Sequence, residues 1–315
     1  MKRSYLVVSL SLIVSLGACS SGEISTPVGT NTTGGTLRSG PTGHDTKTTA
    51  GIKRTSRSHA LLALHAIVAA SQRTMHAGSS RIAISIAASD LSRQVGALRI
   101  HGAGAFDYAN REGMFSMSVP SIEGSPGGTV TMILDDGVLY ERLPKAAHMG
   151  TPWIKFDLSS AFAGLGQTGP FGLGDPEQNV SFLAGATKAI DRGTGTVRGT
   201  RVERYRVKID LARAARRLGP TLHVGFQEIE AMLGGTTLPA DVFVDSAGRL
   251  RRMHVRFILD PSAFGDGTQA PRVVRFDETV DLFDFGVPVR VTLPPTSQVT
   301  DVTGMVGGQQ GSSSG

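Results

Sequence analysis

Apolar residues recur along this chain with two different periods, and the change of period divides it. From about Ser58 to Met75, Leu61, Leu64, His65, Val68 and Met75 fall at helical spacing, while Leu62 and Ile67 widen the apolar side. Alanine is common there and glycine absent, so propensity supports a helix, with Gly78 as its stop. Beyond Gly78 the period shortens to two. Ile82, Ile84 and Ile86 alternate, followed by Leu98, Ile100 and Phe106, by Phe115, Met117 and Val119, and by Val130, Met132 and Leu134. Asp135-Asp136-Gly137 then leads into Val138-Leu139-Tyr140, and Asp-Gly between two apolar runs marks a hairpin because glycine accepts positive φ. Tyr205, Val207 and Ile209 alternate later. So do Met253, Val255, Phe257 and Leu259 after the turn Asp245-Ser246-Ala247-Gly248, and Val274, Phe276, Val280 and Leu282 near the end. This is the pattern of an antiparallel sheet with one apolar and one polar face.

Shorter helices interrupt the strands. Pro176 to about Ala184 has Asp175 as its N-cap and proline at the first helical position. Phe226 to Leu233 carries Phe226, Ile229, Met232 and Leu233 towards one side and ends at Gly234-Gly235, and residues 210–218 form a brief helix after Asp210. Gly164, Gly166, Gly169, Gly172 and Gly174 mark a loop within the fold. An α+β fold accounts for the order, with helices covering the apolar face of a curved antiparallel sheet.

The N-terminus departs from this pattern. Lys2 and Arg3 precede an apolar run from Leu6 to Leu16, which is shorter than the roughly 20 residues of a membrane-spanning helix. A signal peptide over residues 1–18 is expected. Leu16-Gly17-Ala18-Cys19 resembles the lipobox of bacterial lipoproteins, in which the cysteine is acylated and becomes the first mature residue. Cys19 is the only cysteine in 315 residues, so no internal disulfide competes for it. The plain alternative is an ordinary signal peptide beside an unrelated cysteine. Ser20 to Arg57 is rich in Thr, Gly and Ser and contains no aromatic residue, too little apolar surface to offset the entropy of ordering. Residues 19–57 are therefore expected to be the lipidated cysteine and a disordered tether, 58–300 a single α+β domain and 301–315 a disordered tail.

Charge and motifs mainly exclude. The net charge of +6 is spread along the chain, which suits solubility and weak attraction to anionic lipid surfaces. Arg251-Arg252 lacks the setting of a nucleic-acid site, so no nucleic-acid partner is expected. No nucleophile elbow, phosphate-binding loop or His-Glu-x-x-His motif occurs in the body; Gly311-Ser312-Ser313-Ser314-Gly315 matches the elbow by letter only. Gly102-Ala103-Gly104 reads as a bend or close backbone approach, and Asp135-Asp136-Gly137 as a turn lacking the further oxygens calcium needs. His59, His65, His101, His148, His223 and His254 sit in unrelated contexts. Glu203, Asp277, Glu278 and Asp281 read as surface carboxylates or salt bridges, not as the facing pair of a glycosidase. The expectation is a non-enzyme with no metal and no cofactor.

Pro152-Trp153-Ile154-Lys155-Phe156-Asp157-Leu158 fits a packed core and a cavity wall equally well. That segment completes a resemblance with the lipobox, the polar tether, the early helix, the sheet pattern and Asp135-Asp136-Gly137-Val138-Leu139-Tyr140-Glu141-Arg142-Leu143-Pro144. Together, over residues 58–290, they resemble actinobacterial lipoproteins of the LppX/LprG kind, whose fold is similar to the lipoprotein-localisation proteins LolA and LolB. The resemblance implies an incomplete β-barrel wrapped around helices, enclosing a hydrophobic cavity for lipid or lipidated cargo. The expected lining comes from Ile82, Ile84, Leu98, Ile100, Val130, Met132, Trp153 and Phe156, with Arg142 and Lys155 as rim candidates for an anionic head group. The implied location is the extracytoplasmic face of the cell membrane, held by the anchor, with an envelope lipid, lipidated cargo or a membrane protein as partner. A sensory, structural or partner-binding lipoprotein with a filled core is the alternative.

Overall fold

The computed structural model describes residues 46–89, 97–121, 127–144, 151–157, 182–218, 233, 235–259 and 274–303. The leader, Cys19, residues 20–45 of the expected tether, the Gly164–Gly174 loop, residues 176–181 of the helix expected from Pro176 and most of that expected over 226–233 lie outside them. The first element, α1, spans Thr46–Met75 and so begins twelve residues before the expected Ser58. It stops at Gly78, whose φ of 82° is open to glycine without strain.

The strands are β1 (Ser79–Ser89), β2 (Ala97–Asp107), β3 (Glu112–Val119), β4 (Gly128–Asp135), β5 (Val138–Arg142), β6 (Trp153–Asp157), β7 (Ala186–Val197), β8 (Thr200–Asp210), β9 (Thr237–Asp245), β10 (Leu250–Leu259), β11 (Val274–Phe283) and β12 (Val299–Asp301). They form one open sheet in the order β12-β6-β5-β4-β3-β2-β1-β11-β10-β9-β8-β7. The fold is α+β, as the periodicity required. One pairing departs from expectation: β12 runs parallel to β6, while every other neighbour is antiparallel. The folded chain also continues past residue 300, since Val302 is buried and the Thr303 hydroxyl accepts from the Asp157 amide at 2.9 Å.

Hairpin chemistry sets the local registers. Asp136 and Gly137 both have positive φ, 40° and 85°, which matches the twist of strands joined by two residues. Asp135 then faces Val138 across β4 and β5. Arg198 and Gly199 repeat that geometry between β7 and β8. A short 3-10 helix, Phe182–Gly185, precedes β7, and α2 (Leu211–Leu218) follows β8, its Arg213 amide donating to the Asp210 carboxylate at 2.7 Å as an N-cap.

α1 lies over the β7–β10 half of the sheet and against the 3-10 helix. Its buried face is Ala63, Ile67, Ala70 and Thr74, whereas Leu61, Leu62 and His65 are exposed. Of the expected face Ile67 is buried and Leu64 and Met75 pack against the core, but small residues fill most of the buried side of the helix, whose main contact with the sheet is β7. The Thr74 hydroxyl donates to the Ala70 carbonyl at 2.7 Å and accepts from the Leu250 amide at 2.8 Å, tying the helix end to β10.

Among the described residues the β9–β10 turn holds the most enclosed ion pair. Asp245 accepts from the Arg249 amide at 2.9 Å, the Arg249 Nε at 3.1 Å and the Arg251 Nε at 2.9 Å. Burial alone raises the Asp245 pKa, but these hydrogen bonds outweigh it and hold the carboxyl below its ordinary value. A depressed acid contributes stability above its unfolded pKa, near 4, and loses it as pH falls through the folded value. Asp245→Ala is expected to cost about 1.5–3 kcal/mol at pH 7, in the range for hydrogen bonds to charged groups. The deficit shrinks on acidification below pH 4. Urea midpoints of both chains across pH 3–7 check this; a deficit constant with pH contradicts it.

Candidate functional site

Strand alternation sorts the sheet into two surfaces. The inner one carries Ile82 and Ile84 of β1, Leu98 and Ile100 of β2, and Val130 and Met132 of β4, all buried in one cluster. Phe156 of β6 and Leu139 of β5 join it as paired neighbours. Seven of the eight expected lining residues thus share one apolar surface. Trp153 does not. It is an odd position in a strand whose even positions, Ile154 and Phe156, face inward, and it pairs with exposed Arg142. Arg142 and Lys155 lie on that same outer side, so neither rims the inner surface. The Lys155 Nζ is 3.0 Å from the Asp301 carboxylate, whose pKa falls to about 2 chiefly through hydrogen bonds with Thr303 and Lys155.

Glycine makes room on the inner surface where β1, β2 and β3 meet. Gly104 faces Ile82 on one side and Phe115 on the other, and a Cβ there would lie 2.2 Å from the Met114 carbonyl oxygen. Gly102 faces Met117, whose Cγ would be 2.8 Å from an added Cβ. The close approach expected of Gly102-Ala103-Gly104 is present.

The inner surface is sealed at one end and accessible at the other. At the sealed end Phe106, Ile82, Leu282 and Leu134 are buried, and Phe106 packs edge-on against Tyr108 with centroids 5.4 Å apart. The Tyr108 hydroxyl and the Ser80 hydroxyl are 2.7 Å apart, and burial pushes the Tyr108 pKa up to about 12 despite that bond. At the opposite end Ile86, Val119, Phe257 and Phe276 face inward and are half-buried, interspersed with Ala88, Leu98 and Val274, which are buried. Phe257 and Phe276 stack at 5.0 Å with a 4° angle between planes. No helix among the described residues makes more than marginal contact with β2 to β6.

Two carboxylates share this surface: Glu141 of β5, buried opposite Met132 and Ile154, and Glu278 of β11, near the accessible end. Glu278 pairs with Ile86 of β1 and Val255 of β10 and is buried, with its pKa pushed up to about 8 by desolvation. It contradicts the surface role expected for it. Asp277 and Asp281 fit that role: Asp277 is 2.9 Å from the His254 Nε2, and Asp281 accepts from Arg252 at 2.5 and 2.8 Å and from Arg198 at 3.1 Å. Glu203 accepts from the Tyr205 hydroxyl. The signal that places Glu278 inside was present: it falls in phase with Val274, Phe276, Val280 and Leu282.

Among the described residues no group of three or more His, Cys, Asp or Glu is placed to hold a metal ion, and no helix is long and apolar enough to cross a membrane.

No protein-family model matches the chain, and neither does any curated protein. Solved structures do. LprF from Mycobacterium bovis is 14% identical, with 74% of this chain and 96% of that one covered and a TM-score of 0.39. The lipoprotein LppX from Mycobacterium tuberculosis is 14% identical over 72% of this chain and 98% of that one, at 0.38. A LolA superfamily protein from Nitrosomonas europaea is 9% identical over 74% and 94%, at 0.27. All three scores lie below 0.5, so the function rests on this chain's own residues.

Proposed function

We propose that this chain is a lipoprotein anchored through Cys19 at the extracytoplasmic face of a bacterial membrane, and that the inner surface of its sheet binds and shuttles a lipid or lipidated molecule. The observation that carries the ligand half is the apolar inner surface itself, sealed at one end, with a group of half-buried apolar side chains, Ile86, Val119, Phe257 and Phe276, among buried neighbours at the other. An acyl chain entering there leaves water for an apolar wall, worth about 0.8 kcal/mol per buried methylene. A few methylenes supply useful affinity after the costs of ordering and association. The anchor half rests on the lipobox-like Leu16-Gly17-Ala18-Cys19. A single acyl chain binds membranes only marginally, so stable retention requires more than one.

Two measurements separate the halves. Intact mass of the membrane-fraction protein should show acyl groups that Cys19→Ala lacks, with the variant moving to the soluble fraction. An unmodified, soluble wild-type chain defeats the anchor. For the ligand, a chain from position 19 onward carrying Cys19→Ala should raise the emission of an environment-sensitive fluorescent fatty acyl probe, saturating at one probe per chain. Val119→Arg, placing a charge at the accessible end three strands away from Glu278, should weaken uptake about tenfold or more, since burying that charge unpaired is costly. Uptake indifferent to this change defeats the chamber.

A further inference from the structure

The Oε1 atom of Glu278 is the one buried side-chain oxygen or nitrogen among the described residues that lacks a hydrogen-bond partner. Its surroundings supply none. Ile86 and Val255 flank it across the strands, and Phe276 and Val280 precede and follow it on the same surface. The charged groups of the neighbouring strands, Arg252, His254 and Arg256 on β10 and Arg275, Asp277 and Asp281 on β11, occupy the opposite, outer phase. A buried polar atom without a partner is costly and rare in native chains, and where one persists at an accessible end it calls for an external partner.

The chemistry of that partner follows from the group. Enclosed by apolar side chains, with no cation beside it among the described residues, the Glu278 carboxyl is held as the neutral acid, with one O–H to donate and a carbonyl-type oxygen to accept. Among the described residues that pair with β11 no lysine or arginine shares the phase of Glu278, so an anionic head group meets no positive charge from them. An amine would have to form a buried ion pair, whose desolvation offsets most of its attraction. A hydroxyl fits both demands, donating to Oε1 and accepting from the acid O–H. Building on the lipid reading above, we infer that Glu278 is the polar anchor of the chamber and that its ligand is a neutral lipid carrying a hydroxyl beside its acyl chain.

The test uses the chain from position 19 onward with Cys19→Ala, stripped of lipid, and two probes of equal acyl length: 1-oleoylglycerol, which has hydroxyls, and methyl oleate, which has none. Each displaces the fluorescent acyl probe. The glycerol ester should bind at least about tenfold tighter, ~1.4 kcal/mol. Glu278→Leu, an apolar replacement compatible with the site, should cut that preference to about threefold or less while methyl oleate still binds. Glu278→Gln, whose amide both donates and accepts, should keep most of it. Equal binding of the two probes, or a preference unchanged in Glu278→Leu, overturns the assignment and leaves the chamber standing. Failure of both probes to bind overturns the chamber and the assignment together.

Discussion

Gly104→Ala is expected to lower the stability of the fold by about 3 kcal/mol, the upper part of the range for overpacking a filled site. The added methyl would lie 2.2 Å from the Met114 carbonyl oxygen and 2.5 Å from the Phe115 Cδ1. The first contact is with the backbone of the paired strand, so relief requires β3 to move, and β3 is held by β4 on its other side. Gly235→Ala is the control, since no atom lies within 4 Å of its added methyl. It should stay within about 0.5 kcal/mol of wild type, as surface changes do. Urea denaturation at constant slope reads both values. Equal stability for the two variants contradicts the tight β2–β3 approach.

Glu278→Leu should stabilise the chain, and more so in alkali. The folded pKa is raised to about 8 against an ordinary value of 4.5. Between those values the folded chain keeps a proton that the unfolded chain releases, so wild-type stability falls as pH rises from 4.5 and levels off above 8. Leucine removes both that slope and the unpaired oxygen. The expected gain at pH 8 is about 1–3 kcal/mol, the cost of a buried unsatisfied polar group, with a smaller gain at pH 4.5. Denaturation midpoints at the two pH values decide it. A variant less stable than wild type at pH 8 contradicts the placement of this carboxyl.

What the sequence discloses here depends on how local the physics is. The β4–β5 hairpin was legible because Asp136-Gly137 supplies its own positive φ between two alternating runs. The inner surface of β1, β2 and β4 was legible because a period of two, once in register, commits every second residue to one side. β7 gave no such pattern. Its pairing with β8 slips at Ala186/Lys188 and at Asp191/Thr194, and those bulges break the alternation. Trp153 lies on the outer side because Ile154 and Phe156 already claim the inner side of β6, and strand phase outweighs aromatic content. The α1 face was legible in part: Ile67, Leu64 and Met75 meet the core, while Leu61 and Leu62 are exposed and Ala63 and Ala70 are buried in their place. Glu278 was missed for the opposite reason, its charge outweighing its phase. The return of β11 to pair with β1 was out of reach, because nothing near either strand records a partner almost 200 residues away.

The central claim is that the inner surface of this sheet holds a lipid. Native mass spectrometry of the chain from position 19 onward, carrying Cys19→Ala and purified from bacterial membranes' lipids without detergent, tests it most directly, because the substitution separates bound cargo from the covalent anchor. The account predicts one added mass per chain that lipid extraction releases and identifies as an acylated molecule, with reloading when envelope lipids are supplied. A bare chain that stays bare in the presence of those lipids contradicts it.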